Sequence, residues 1–443
     1  MRVCIVNEFF HPDNTGGTGT VLSDLARTLR RNHPDVSIDV VTSRNLYRDK
    51  TTCLPKTENW NGINIHRLAT PHTGGTTTFQ RLAINSIFSL FALWTLLTRR
   101  PYDLVIIGTA PPSLAVTAHA LKKITGTPYF YVIYDLDPDR AVTMGVLSKN
   151  SPIARILRRA QKRWLHAAAK TIVLGRCMQE YLANTYLLPS SKTVVIPIGA
   201  DADEIVPGHK QSRFRQKHAL TGFIVSYSGN FGRYHDFDTI LNAAKQLHEL
   251  DSNITFMLCG EGAQKAHVEQ RIAAEQIENV RVFPLVDKAD YVDALATADV
   301  SLVTLERGME GLCVPSKFYS ILASARPVVA LVSPISEVAL VIKEDDCGIQ
   351  IDQGDTDKLV EAISFLAANP THSERLGENA RRTLVTKYST QRIAEMYYRT
   401  MRPSRFNLTD KTFTTAPDDR LRTETLAGQE EQHSEMTASG LPR

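Results

Sequence analysis

The chain has no cysteine pair at metal-binding or disulfide-forming spacing. Its six cysteines, Cys4, Cys53, Cys177, Cys259, Cys313 and Cys347, are scattered with no CxxC among them. No zinc site or disulfide framework is readable, which fits a reducing cytoplasm. An excess of one charge is also lacking. Against 51 Lys and Arg stand 47 Asp and Glu in 443 residues, a net +4, which gives no electrostatic reason for a nucleic-acid partner. The thirteen histidines form no HxxxH or HExxH spacing, and no GxSxG elbow occurs, so a serine hydrolase is disfavoured. The phosphate-binding glycine codes fail as well. After Gly17 and Gly19 the third position of GxGxxG holds Leu22, after Gly260 and Gly262 it holds Lys265, and no GxxxxGK[ST] is present. Dinucleotide and P-loop chemistry lose ground accordingly. Residues 1–10 read as a strand ending in polar Asn7-Glu8, not as a secretory signal. One long apolar run exists, residues 82–98, interrupted by Asn85, Ser86 and Ser89. Slightly short for a span, it reads either as a helix covering a sheet or as an interfacial helix touching anionic lipid.

What is present is an alternation. Short Val/Ile-rich runs at 2–8, 36–43, 103–108, 129–134, 171–174 and 193–197 are separated by amphipathic stretches such as 19–31. A second series follows at 223–229, 254–260, 280–284, 299–305, 327–332 and 347–352, with helical patterns at 237–250 and 357–369. Continuous apolar strands between helices indicate parallel sheets covered on both faces. The fold class is therefore α/β, doubly wound, and the length calls for two domains around a cleft. The polar, strandless stretch 199–222 with Pro207-Gly208 reads as the linker. The boundaries expected are 1–205 for the first domain, 206–385 for the second and 386–402 for a final helical segment. A disordered tail at 403–443 is expected, since 409–443 holds one Phe and no Tyr or Trp.

Four loops carry candidate chemistry. Gly16-Gly17 follows the first strand and opens a helix, a place for an anion or simply a tight turn. In "SYSGNFGRYHD" (226–236), Asn230, Arg233 and His235 stand between a strand and a helix, where a phosphate would sit unless Arg233 is merely solvated. In "GMEGLCVPSKFYSIL" (308–322), Pro315 suits the first turn of a helix that also holds Ser316 and Lys317. A cation at the positive end of a helix is unfavourable unless an anion offsets it, or the lysine simply faces solvent. Glu310, on the loop before, suits sugar hydroxyls rather than phosphate. In "YVIYDLDPDRAVTMG" (131–145), Asp135, Asp137 and Asp139 lie just past a strand end, where open α/β sheets bind ligands. They could chelate a metal, cap loops, or place one acid in the cleft as a base or hydroxyl binder.

These loops together resemble the GT-B glycosyltransferases, and closely their retaining family 4, which includes enzymes of bacterial exopolysaccharide and O-antigen synthesis. The residues carrying the resemblance are Gly16-Gly17, 101–112, 134–145, 228–241, 258–263 and above all 308–330, within a likeness spanning roughly 1–402. It implies a GT-B fold of two Rossmann-like domains, the first binding an acceptor and the second a nucleotide-diphosphate sugar, with the final helix crossing back to the first. Gly16, Gly17, Asn230, Arg233, Ser316 and Lys317 would line the donor diphosphate, and Leu285 and Val286 the base. Glu310 matches the first of the family's paired glutamates, while the second, a ribose ligand, falls at Ser320. Asp135 matches the acidic end of the catalytic loop, with Tyr134 where a histidine is usual. The implied partners are a nucleotide sugar and a glycan or polyprenyl-linked acceptor, with no metal and no other cofactor. The implied place is the cytoplasm, with peripheral contact at the inner membrane face through 82–98. A nucleotide-sugar epimerase or phosphorylase, or a non-catalytic partner subunit of the same fold, fits the same residues.

Overall fold

A computed structural model describes residues 1–13, 17–46, 49, 51–71, 78–99, 101–250 and 253–402, the side chains of 78, 79 and 288 excepted. Gly16 and the tail 403–443 lie outside the described residues. The first domain runs β1 (Arg2–Val6), α1 (Gly17–Asn32), β2 (Ser37–Ser43), β3 (Thr57–Trp60), β4 (Ile63–Leu68), α2 (Thr78–Thr98), β5 (Leu104–Ile107) and α3 (Leu114–Thr125). It continues through β6 (Tyr129–Ile133), α4 (Asp139–Thr143), α5 (Pro152–Ala167), β7 (Lys170–Val173), α6 (Arg176–Tyr186) and β8 (Thr193–Val195). The second runs α7 (Arg213–Lys217), β9 (Phe223–Ser228), α8 (Phe237–Leu250), β10 (Ile254–Cys259), α9 (Lys265–Glu275), β11 (Val280–Phe283), α10 (Lys288–Thr297) and β12 (Val300–Thr304). It ends with α11 (Lys317–Ala323), β13 (Val328–Leu331), α12 (Glu337–Asp345), β14 (Gly348–Ile351), α13 (Thr356–Ala368), α14 (Pro370–Thr383) and α15 (Thr390–Met401).

The sheet orders are β3-β4-β2-β1-β5-β6-β7-β8 and β11-β10-β9-β12-β13-β14. All neighbouring pairs are parallel except β3 with β4. Each sheet grows from its first strand in one direction and then reverses. Its switch point therefore lies beside that strand, between β1 and β5 and between β9 and β12, where a crevice opens at the strands' carboxyl ends. The central strands are buried on both faces, which is why they read as unbroken apolar runs. Local chemistry sets the helix ends. Ser151 caps α5 by accepting from Ala154 N, with Pro152 as the first residue, and Gly126 closes α3 at φ 76°.

The linker differs from the sequence reading in one respect. Part of 199–222 is helix α7, whose Phe214, with Leu220 just beyond, packs on Ile224, Met257 and Ala294. The two chain passages between the domains meet at Ala200 and Ser389. Ala200 N donates to Tyr388 O at 3.1 Å and Thr390 N to Ala200 O at 3.1 Å. From α15, Tyr398 stacks on His33 at 3.7 Å and its hydroxyl donates to Asp35, so this helix rests on the first domain.

A second tie is electrostatic. Buried Glu337 accepts from Arg176 N at 2.6 Å and pairs with its guanidinium at 3.1 Å, across the domains. A Cβ on Gly175 would stand 2.7 Å from Glu337 Cγ, so the contact needs that glycine. Glu337→Ala would leave the Arg176 N–H and part of its guanidinium unpaired. It is expected to lower unfolding free energy by about 1–3 kcal/mol in denaturant titration.

Candidate active site

The loop after β9 is built on an aromatic cluster. Tyr227, Phe231 and Phe237 pack with ring centroids 4.6–5.7 Å apart. The Tyr227 hydroxyl donates to Asn230 O at 2.7 Å, and His235 Nδ1 accepts from Gly232 N at 3.2 Å. His235 is buried, and burial together with nearby Lys317 pushes its pKa well below the usual histidine value. It is a neutral brace for the loop, not the phosphate-facing group the sequence suggested.

Lys317 closes this site. As the first residue of α11 it turns back over β9, its ammonium 3.7 Å from the centroid of the Tyr227 ring and donating to that hydroxyl. Gly229, at φ 150°, makes room for it, since a Cβ there would come 2.9 Å from Lys317 Cε. Among the described residues Lys317 has no carboxylate partner, and burial drives its pKa well below the ordinary lysine value. A cation–π contact offsets only part of such a desolvation. The site therefore favours an incoming anion. Ser316 is exposed beside it and makes no capping bond. Asn230 and Arg233 are exposed on the facing loop, and Arg233 makes no side-chain bond among the described residues.

Glu310 lies on the loop after β12, half-buried, with Gln353 Nε2 at 3.5 Å from Oε1. That loop reaches the first domain. Leu136 N donates to Leu312 O at 2.9 Å, and Asp135 bridges Cys313. Asp135 is thereby held against the second domain, with Arg140 Nη1 2.9 Å from its Oδ2. Burial raises its pKa, while Arg140 opposes the rise. Tyr234, from the loop after β9, lies close enough to be affected by both charges, and burial pushes its phenol up to about 12.

The three acids past β6 do not converge. Asp137 pairs with Arg140 at 3.1 Å, and Asp139 is buried with Arg158 Nε at 2.8 Å and the Tyr186 hydroxyl. No group of three potential metal-ligating side chains occurs among the described residues.

The remaining sequence candidates sit as follows. Gly17 opens α1, with nothing within 4 Å of where its Cβ would stand. Leu285 and Val286 are half-buried between β11 and α10, Val286 packing on the cluster around Phe214. Ser320 is half-buried on α11, near enough to the Tyr291 hydroxyl of α10 to affect its ionisation. Sequence reasoning missed Tyr227, Arg140 and Tyr234. Tyr227 looks like strand core and Arg140 like one base among many; only the fold brings them to the site.

Two family models match the chain, a glycosyl transferase 4-like domain over residues 16–199 and glycosyl transferases group 1 over 209–383. The glycosyltransferase named WbjE of Pseudomonas aeruginosa is 28% identical over 72% of this chain and 79% of its own length. WcaI of Escherichia coli K12, named as a colanic acid biosynthesis glycosyl transferase, is 23% identical over 69% of this chain and 77% of its own. Among solved structures, sucrose-phosphate synthase from Thermosynechococcus elongatus superposes with TM-score 0.73 at 16% identity, covering 91% of this chain and 98% of that one. Anabaena HepE in complex with UDP gives 0.69 at 14% identity, covering 90% and 99%. Two switch-point loops facing each other on paired parallel sheets, and family matches over both halves, make the fold GT-B and place this chain among the family 4-like glycosyltransferases.

Proposed function

We propose that this glycosyltransferase moves a sugar from a nucleoside-diphosphate sugar to a lipid-linked glycan acceptor, with retention and without a metal, during cell-surface polysaccharide assembly in the cytoplasm. The observation that carries the donor half is Lys317, a half-buried ammonium packed on the Tyr227 ring at the second switch point, with no carboxylate partner among the described residues. UDP bound in HepE, a structural neighbour, agrees with a nucleotide there. The polysaccharide setting is taken from the name of WcaI.

In this reading Lys317 and Arg233 stabilise the charge that develops on the departing diphosphate. Glu310 accepts a hydrogen bond from a hydroxyl of the donor sugar. Asp135 faces it from the first domain and takes the proton from the acceptor hydroxyl. Both Asp135 and Asp137 give their charge to Arg140, which disfavours metal binding by either. Closure of the domains on the donor excludes water and protects it from hydrolysis.

Thermal denaturation with nucleoside diphosphates and their sugars tests the donor half. A ligand at 100-fold its Kd adds about 2.7 kcal/mol, so a rise of several degrees is expected with the cognate nucleotide, with or without Mg²⁺. No rise with any of them would remove the proposal. An anomeric NMR signal in the product matching that of the donor reports retention. Conversion of the donor without acceptor would instead favour an epimerase.

A further inference from the structure

The outer layer of the first domain carries a face that the fold leaves unused. Helices α2, α3 and α5 lie side by side on one side of the sheet. Ser89 Oγ and Ser113 Oγ are 2.7 Å apart, Thr117 Oγ1 donates to Ser89 O at 3.0 Å, and Lys122 Nζ donates to Ala167 O at 2.6 Å. The inner stripe of α2, Phe88, Ala92 and Leu96, is fully buried. Its outer stripe is just as apolar and faces solvent: Leu82 is 63% exposed, Leu90 65% and Trp94 69%. On α5, Ile153 and Ile156 are exposed to a similar degree. From Leu82 to Thr98, α2 has no charged residue.

Charge is distributed just as unevenly. The three helices contain no Asp or Glu but eight Lys and Arg, five of them on α5, in a chain that is almost balanced as a whole. Of the five, Arg155, Arg159, Lys162 and Arg163 are exposed. An exposed apolar stripe beside an acid-free basic helix is the composition of a surface that lies on anionic lipid.

We infer that α2, α3 and α5 form a docking face for an anionic bilayer, with Leu90 and Trp94 entering the headgroup–acyl boundary and the α5 bases meeting lipid phosphates. Trp suits that boundary because its ring is apolar and its N–H polar. Although α2 is long enough to cross a membrane, spanning would strip its inner stripe from the sheet and break its bonds to α3. A symmetric second copy would bring one basic α5 against another. The helices run opposite to the strands, so they begin at the strand edge that bears Asp135. Docking would therefore bring an acceptor held in the membrane to the site, a consequence that rests on the proposed acceptor, whereas the docking itself does not.

The test is co-sedimentation of the full chain with vesicles of phosphatidylcholine alone or enriched in phosphatidylglycerol, with no donor or acceptor present. Binding to the anionic vesicles is expected. Leu90→Glu with Trp94→Glu should weaken it by about tenfold or more, and so should Arg155→Glu with Arg159→Glu. The tryptophan emission should shift to the blue on binding, and Trp94→Phe should remove most of that shift. All four positions are exposed, so melting temperature and the nucleotide-induced shift should match wild type. That separates loss of docking from loss of fold or of the donor site. Absence of wild-type binding to anionic vesicles would overturn the inference, as would undiminished binding by both double variants. A dimer that Leu90→Glu dissociates, without vesicle binding, would assign the face to a second copy and equally overturn it.

Discussion

Lys317→Met should make the protein more stable and nearly inactive. The wild-type ammonium lies over the Tyr227 ring with no carboxylate among the described residues to neutralise it, and methionine fills much of the same space without a charge to desolvate. A gain of about 1–2 kcal/mol is expected from removing this uncompensated charge, seen as a higher melting temperature. The gain depends on pH in a definite direction. Burial lowers the folded pKa of Lys317, so between that value and the ordinary lysine value of about 10.4 the unfolded chain holds more protons. Wild-type stability therefore rises with pH through that window. The advantage of the variant is full below it and fades across it. Activity should move the other way. Losing a group that stabilises the leaving diphosphate is expected to cut kcat/KM by about 10²–10³. At pH values near or above the folded pKa of Lys317, nucleotide binding by wild type should also take up protons, because a bound diphosphate raises that pKa. Calorimetry in two buffers of different ionisation enthalpy would show this, and the variant should lose it. Unchanged kcat/KM in Lys317→Met would sink the donor assignment.

The same residue shows how far the sequence could be read. The position of Lys317 at a helix start was legible from Pro315-Ser316-Lys317, and the expectation of an anion there rested on a cation placed at the positive end of a helix. The physical reason changes in the fold, however. Helix α11 is only seven residues long, and what marks the site is burial against Tyr227, not the helix dipole. No local pattern could show this, because Tyr227 sits in an apolar strand and reads as core. The two sheets were legible because buried parallel strands are continuous apolar runs. The β3–β4 hairpin was missed although its signal was present. Asn61-Gly62, both at positive φ, is a favoured two-residue turn between strands, but the strand before it is polar and half-exposed. Arg140 was illegible for a different reason. Its role comes from the Asp135–Cys313 bridge, which joins residues far apart in sequence.

That bridge gives the second large effect, a change in the pH dependence of transfer. Asp135 must be ionised to accept a proton from the acceptor, so activity should fall as pH drops through its folded pKa. Burial raises that value above the ordinary aspartate range of about 3.9, and the acid limb of kcat/KM should lie correspondingly higher. Arg140, 2.9 Å from the carboxylate, is what keeps the rise in check. Arg140→Gln removes an opposite charge at contact distance and should move the limb upward by about 1–3 pH units, with a smaller loss on the plateau. Asp135→Asn should abolish that limb and lower kcat by about 10²–10⁴. The stability term runs against the catalytic one. A carboxyl with a raised folded pKa stabilises the fold below its unfolded value, and that contribution is lost as pH rises through the folded value. Around this group the protein thus becomes less stable over the same pH interval in which it becomes active. Arg140→Gln should shift both curves together. If the limb stays in place in Arg140→Gln while the melting curve moves, Asp135 is an interdomain anchor and the base lies elsewhere.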